Sequence, residues 1–575
     1  MRVRISPAAG SHATRAPPRS TRNAALDRIH EHPLIPNSLP ESTGSTPPAS
    51  EWRRYYGPHW RFHLAVLAAL LIVRGALESL ADADLPMHLA LGEWIVEHRQ
   101  VPHVEPFAWT RAGAPFYSYS WAAQALYYFM SESGGKLALR LFHGLTVAGA
   151  GASMIALGRS ARWDPRTSLL MAALNVTIMS ALVAPVRPQA LLFSLIPLAW
   201  AFSYRALAAQ RQLPALIWIA ITCAVAANTH IFFPLTAAPW LLWIAEPPAS
   251  RRRVYGIVGA TLAGWLASPY ALVWLSVFGS NVLTNPLLEF PSPISEAVPG
   301  FLAIRWNLLA VVAGLCLATL PWLAPAGRLS ARARLVFGGA WLAGLIAFAG
   351  AFRLLLVWWM LVLPLAASAV HDISRRLLES EEQKLRLLRL TAVWAVCAGL
   401  ILSPGRFEAG AWRSEDPAGA RTFAPSVESG LEHLARWLEC NVSAGAGGRM
   451  YTYFDYGSAL TWRLPNYSMS IDGRTIFPDS VARSEAFYDP LREPLREGPW
   501  RSANLAIMPA RSAIADVLDG AVGWRRAAVV HRASGSIALW VTDEWWERAG
   551  SRILSPEPAT LDAAYACASR PPVAR

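Results

Sequence analysis

Asp82-Ala83-Asp84 follows the first long apolar run and is itself followed by His88 and an apolar helix-like stretch, DLPMHLALGEW. A carboxylate at a membrane surface can take the proton from a hydroxyl as general base, and two such groups can share a divalent cation, Mg or Mn. If a helix starts near Leu85, Asp84 and His88 are four residues apart and lie on one face. Asp84 is then equally a natural N-cap, with Pro86 in the first turn. Asp82 has no such structural excuse, which makes it the stronger catalytic candidate. His88, on a mostly apolar helix, reads as an interfacial residue as readily as a ligand. Ala81-Asp82-Ala83 also has the look of a signal-peptide cleavage tail, but Arg74 and Glu78 intervene between the apolar run and that site. The N-terminus is therefore expected to stay attached.

A second set of residues is cationic. Arg187 (APVRPQ), Arg305 (FLAIRWN) and Arg353 (FAGAFRLLL) are single arginines at expected outer helix ends, and Arg74 lies within the first helix. A charge at membrane depth costs about 2.5 to 3.5 kcal/mol on insertion scales, so such groups either snorkel or serve a function. The functional reading is an anionic headgroup, because phosphate matches the planar guanidinium fork. His230, in AANTHIFF, faces the same side. Further on, Asp455, Gly457, Asp472 and Arg474 read as a turn and strand-end set, with acceptor binding as the alternative.

The elements that must position these groups are membrane helices. The chain has 575 residues, 54% hydrophobic and only 16% charged, with 26 Trp, which excludes an ordinary soluble protein. Apolar segments near the span length of about 20 residues run over 62–80, 136–158, 168–186, 188–205, 214–230, 231–246, 254–276, 306–325, 335–350, 352–370 and 389–403, about eleven crossings. The net charge of +13 does not indicate a nucleic-acid partner, because the arginines fall in short clusters such as RSARWDPR and EPPASRRR between apolar runs. With residues 1–58 a disordered cytoplasmic segment, every cluster falls inside, in the manner of a multi-pass inner-membrane protein. That parity requires YSYSWAAQALYYFM to lie in the outer interface rather than cross. Residues 81–135 then form a first outer loop with interfacial helices and 279–305 a second, within a transmembrane domain over 59–403. Residues 404–575 read as a small extracytoplasmic α/β domain, with strand-like runs RMYTYFDYG and SALTWRL and a hairpin-like pair AAVVHRASGSIALWVTD. Cys440 and Cys567 in this tail are either a disulfide or two free thiols.

These residues, in this order, resemble the bacterial integral-membrane glycosyltransferases of the GT-C type, a class similar to the dolichyl-phosphate-mannose protein mannosyltransferases. In that family Asp-x-Asp-x-Trp-Trp-His-Leu-x-x-Gly follows the first span, where this chain has Asp82 to Gly92. VPHVEPFAWT, VRPQALLFSL, ANTHIFF, SPYALVWL with TNPLLEF, and FRLLLVWWMLVLPL are similar to later segments, and FDYGSALTWRLP and SIDGRTIF to motifs of its periplasmic domain. Pro86-Met87 departs from the aromatic pair, and Glu105 stands where the family has Asp.

The resemblance implies an all-α polytopic membrane domain followed by an α/β domain, and transfer of a sugar from a polyprenyl-phosphate donor in the bilayer to an extracytoplasmic glycan, lipid or protein acceptor. It implies Asp82 as the base, assisted by Asp84, and Arg187 and Arg353 on the leaving phosphate, with Arg305 and His230 beside them. Glu105, Asp455, Asp472 and Arg474 would border the acceptor, and a cation on Asp82 and Asp84 is an optional cofactor. A lipid-linked glycan polymerase or ligase would share the fold, and a transporter or non-enzymatic assembly subunit is the alternative from another class.

Overall fold

The computed structural model describes residues 52–53, 58–78, 80, 82, 84–183, 185–245, 251–275, 314–319, 331–350, 354–377, 428–443, 445–471, 498–531, 535–550 and 558–561. Its organising contact is a helix crossing made close by glycine. Helix α1 (Trp60–Leu77) runs against α3 (Trp121–Ser160), with α2 (Leu85–His98) between them in sequence. A Cβ on Gly144 would lie 2.2 Å from the backbone oxygen of Ile72, and one on Gly75 would lie 2.7 Å from Gly144 Cα. Any larger residue would push the two helices apart and carry the end of α1 away from its neighbours.

The helical run of α3 is interrupted by non-helical backbone at Gly134 (φ −157°, ψ 17°) and Gly135 (φ 58°, ψ −148°). The expected separation of YSYSWAAQALYYFM from the following apolar segment thus falls at this glycine pair. The portion before the break packs on α2, where Gly92 lets the backbone approach Gln124.

Helices α4 (Pro165–Leu182), α5 (Leu192–Ala208), α6 (Leu213–Ala227), α7 (Arg251–Leu266), α8 (Ala331–Gly350), α9 (Leu355–Leu361) and α10 (Leu363–Leu377) complete the described helical part. They enclose one apolar core that includes Phe193, Trp200, Ile219, Phe337, Trp358 and Trp359. At the start of α4, Asp164 accepts from the backbone amides of Arg166 and Thr167 at 3.0 Å and also pairs with His371 of α10. Burial opposes the charge on Asp164, but the bonds from His371 and Thr167 outweigh it and hold its carboxyl down at about 2.

Among the described residues four helical segments are long and apolar enough to cross a membrane: Trp60–Leu77, Trp121–Ser160, Pro188–Ala208 and Ala331–Ala349. Three expected spans differ from simple helices. Residues Phe233–Leu241 form a 3-10 run, since Pro234 and Pro239 each remove an N–H donor. The expected span 352–370 is split between α9 and α10 around Val362, just before Pro364. The segment expected over 168–186 leaves helical geometry after Leu182, ahead of Pro185.

The tail folds as a mixed sheet in the order β2-β1-β3-β5-β4-β6, formed by β1 (Gly448–Thr452), β2 (Tyr467–Met469), β3 (Leu505–Pro509), β4 (Trp524–Val530), β5 (Ile537–Thr542) and β6 (Ala559–Leu561). Side chains alternate as a two-sided sheet requires. Leu505, Ile507, Leu539 and Val541 face α11 (Glu428–Asn441), whereas Ala506, Met508, Ala538 and Trp540 face the core that contains Ile514 and Leu518. The expected hairpin is present as antiparallel β4 and β5. The expected strand SALTWRL is not: Phe454–Arg463 is helix α12, whose Tyr456 and Leu460, with Leu464 just beyond, enter the tail core at a helical period. Cys440 is disulfide-bonded to a partner outside the described residues.

The tail is seated on the loop that follows α1. Ala108 bridges to Met469 at the sheet edge, Trp109 Nε1 donates to Met450 O at 3.3 Å, and Arg449 lies over the Trp109 ring. Trp462 of α12 is buried with Leu80, Leu85, Leu89 and Tyr127. The first loop and the tail therefore pack directly against each other. Trp462→Ala should cost about 3 to 5 kcal/mol of this seating. Limited proteolysis in detergent should show the tail released from the helical part at lower temperature, with the helical part intact.

Candidate functional site

The site forms where the chain leaves α1 and where it leaves α4. Asp82, 3% exposed, sits at the head of α2, and its Oδ1 accepts from the Asp84 amide at 3.3 Å. It is therefore Asp82 that holds the turn into α2. Asp84 occupies the N-cap position but makes no side-chain cap bond, contrary to the capping role expected of it. Its carboxylate points elsewhere, to Arg187.

Arg187 lies between Pro185 and Pro188, immediately after Val186, whose φ of 63° is in the left-handed region. Its Nε donates to Asp82 Oδ1 and Oδ2 at 3.0 and 2.9 Å, and its Nη2 donates to Oδ1 at 2.8 Å. The same Nη2 is 3.0 Å from Asp84 Oδ2. One guanidinium thus holds both carboxylates of the motif. A divalent cation shared by Asp82 and Asp84 would have to displace it, and among the described residues no group of three or more His, Cys, Asp or Glu side chains converges as a metal site.

His88 lies one turn into α2, its Nδ1 3.2 Å from Gln124 Nε2, while Gln124 Oε1 accepts from Ser118 Oγ. Gln124 thereby fixes the ring with Nδ1 as acceptor. Burial pushes the His88 imidazole down to about 4; the Asp82 charge works against that and Arg187 reinforces it. At neutral pH this residue is an uncharged hydrogen-bonding group. Tyr127 packs edge-on to it, ring centroids 6.4 Å apart.

The other expected residues are more dispersed. Glu105 is buried, and its Oε1 accepts from the Phe107 and Ala108 amides at 2.9 and 3.0 Å, which shapes the loop segment that meets the tail. His230 packs against Tyr119 at 6.1 Å and accepts from the Phe232 amide. Asp455 falls in the first turn of α12. Arg305, Arg353, Asp472 and Arg474 lie outside the described residues.

One group of functional interest escaped sequence reasoning. Beneath Asp82, Arg74 Nη1 is 2.8 Å from Glu78 Oε1, and His143 Nε2 is 2.9 Å from Glu78 Oε2. All three are almost fully buried, at 4, 2 and 3% exposure. Their charges inside apolar runs were visible, but the pairing of α1 with the middle of α3 was not.

A buried carboxylate held by a guanidinium beside the first loop, with an α/β region packed against that loop, is carried by a mostly helical chain with four helical segments among the described residues long and apolar enough to cross a membrane. No protein-family model and no curated protein matches the chain by sequence. Solved structures do match. The archaeal oligosaccharyltransferase AglB from Archaeoglobus fulgidus, in complex with an inhibitory peptide and a dolichol-phosphate, is similar over 85% of this chain and 74% of that one, with a TM-score of 0.52 and 10% identity. The Archaeoglobus fulgidus oligosaccharyltransferase tethered to an acceptor peptide containing the NVT sequon gives a TM-score of 0.55, with 10% identity over 85% and 75% of the two chains. Its apo form gives 0.51 with 12% identity over the same shares. At such identity the likeness is one of fold.

Removing Arg187 strands the Asp82 charge in a buried site. Arg187→Ala should therefore destabilise the protein by about 3 to 5 kcal/mol, and Asp82→Asn in the same chain should recover part of the loss, as read from thermal melts in detergent. His88 makes a pH-dependent contribution. Because its folded value lies below the ordinary 6.5, that contribution is complete above pH 6.5 and is lost as the pH falls toward about 4, where the unfolded chain binds the proton first. Melts from pH 7 to 4 should fall more steeply for wild type than for His88→Gln.

Proposed function

We propose that this protein is a membrane glycosyltransferase that moves a sugar or glycan from a polyprenyl-phosphate-linked donor to an extracytoplasmic glycan, lipid or protein acceptor. The single observation that carries the reading is the Asp82–Arg187 pair, which couples a base to a phosphate-binding fork in one part-buried contact. The fold likeness to oligosaccharyltransferases supports it, since one of those structures is a complex with an inhibitory peptide and a dolichol-phosphate and another is tethered to an acceptor peptide. The eleven-crossing topology, with the N-terminus cytoplasmic and the tail outside, belongs to the same proposal and is supported by the disulfide at Cys440, a bond of oxidising compartments.

With no donor bound, both Asp82 oxygens are engaged by Arg187. An arriving phosphate competes for the guanidinium, so Arg187 turns toward the headgroup and uncovers Asp82. The acceptor hydroxyl or amide then gives its proton to Asp82 and its lone pair forms the bond to the sugar C1. The old C1–O bond breaks with its electrons on the phosphate oxygen, where Arg187 offsets the growing charge, with Arg353 proposed as a second cation. The carbon inverts. Neutral His88 and Gln124 line the base and hydrogen-bond the incoming polar groups. No step requires a cation on the carboxylates.

Purified protein in lipid, given radiolabelled polyprenyl-phosphate sugars and membrane acceptors, should transfer label. Asp82→Asn should lower that rate about 100- to 10,000-fold, the usual contribution of a general base, with donor binding retained. Equal rates for the two proteins would remove Asp82 from the chemistry, and no transfer by wild type with any donor would favour a non-enzymatic subunit.

A further inference from the structure

Three ionisable side chains buried inside a membrane helix pair are costly, and the pairing of Arg74 with Glu78 already neutralises two of them. The third, His143, is not needed for that balance. Its position shows what it does. Nε2 faces Glu78 Oε2 at 2.9 Å, and Nδ1 accepts from the backbone N–H of Val186 at 3.4 Å. The ring is thus oriented by Glu78, with its proton on Nε2, and presents a lone pair to one particular amide.

That amide belongs to the residue directly before Arg187. Val186 has φ 63°, a conformation that a β-branched residue adopts only when its surroundings impose it. Val186 is also buried at 2%, and Pro185 and Pro188 limit the freedom of the turn on either side. An ordinary extended backbone at Val186 would rotate Arg187 away from Asp82. We propose that Arg74, Glu78 and His143 form a positioning network that holds Val186 in its left-handed conformation and so aims the Arg187 guanidinium at Asp82 and the donor phosphate. His143 is its working end. It is a positioning residue for the site proposed above and rests on that reading only for the identity of the phosphate.

The test uses the full chain in nanodiscs, with undecaprenyl phosphate as probe, undecaprenol as uncharged control, and tryptophan fluorescence as readout. His143→Ala should weaken binding of the phosphate about tenfold, equivalent to about 1.4 kcal/mol, without changing binding of the alcohol. His143→Gln, which can both donate to Glu78 and accept from Val186, should bind within about threefold of wild type. The decisive variant is Val186→Gly, because glycine takes a positive φ without steric cost. Placed in the His143→Ala chain, it should restore phosphate binding most of the way. A His143 that acts through packing alone would not be rescued by glycine at a different residue, so a double variant as weak as His143→Ala overturns the inference, as does a His143→Ala protein that binds like wild type. Thermal melts supply a second, ligand-free reading: losses from His143→Ala and Arg187→Ala should be less than additive, and strict additivity overturns the network. If wild type does not bind undecaprenyl phosphate, the proposed donor fails, and this cycle still decides whether His143 positions Arg187.

Discussion

Asp82 is a carboxylate withdrawn from water at the point where the first helix gives way to the first loop, and it can stay there only because Arg187 meets it with two donor nitrogens. The requirement reaches far through the structure. Arg187 must come from another helix end, so the turn after α4 has to approach the end of α1. That approach in turn needs α1 and α3 to cross at Gly75 and Gly144, where no Cβ fits. An unpaired charge at this depth would cost more than a surface pair gains, so pairing is a condition of folding as well as of any chemistry.

The pair also explains why the two aspartates of one motif differ. Asp82 is buried and holds both the turn and the guanidinium, while Asp84 is 38% exposed and touches the outer edge of the same guanidinium. Asp84 leaves that edge of Arg187 open to solvent, while the opposite edge shields Asp82. His88, made neutral by burial, adds hydrogen-bonding capacity without adding charge. The tail closes this region from above: Trp462 fills the space between α2 and the start of α3, and Trp109 and Thr110 fasten the loop to the sheet edge.

Several sequence readings differ from the structure, each for a physical reason that local pattern alone does not report. Phe454–Arg463 has enough alternation to suggest a strand, yet it is a helix because Tyr456 and Leu460 must reach one core and Trp462 another, and only a 3.6-residue period serves both. The run 231–246 is apolar enough to cross, but its prolines convert it to 3-10 geometry. Asp84 has the residue type and position of a helix cap, but a guanidinium competes for its oxygens and wins.

The sequence by itself determined that the chain is built largely of apolar helices of membrane-crossing character, because hydropathy is summed over many residues and survives local error. It also singled out Asp82 and Arg187 individually, since a charge next to an apolar run is costly wherever the chain goes. Only the tertiary structure decided that these two meet, that Asp84 shares the same guanidinium, and that Glu78 and His143, 65 residues apart, stand behind them. Hydropathy reports the environment of each residue singly; a partner is a relation between distant segments, fixed by which helices pack and by the glycines that let them approach.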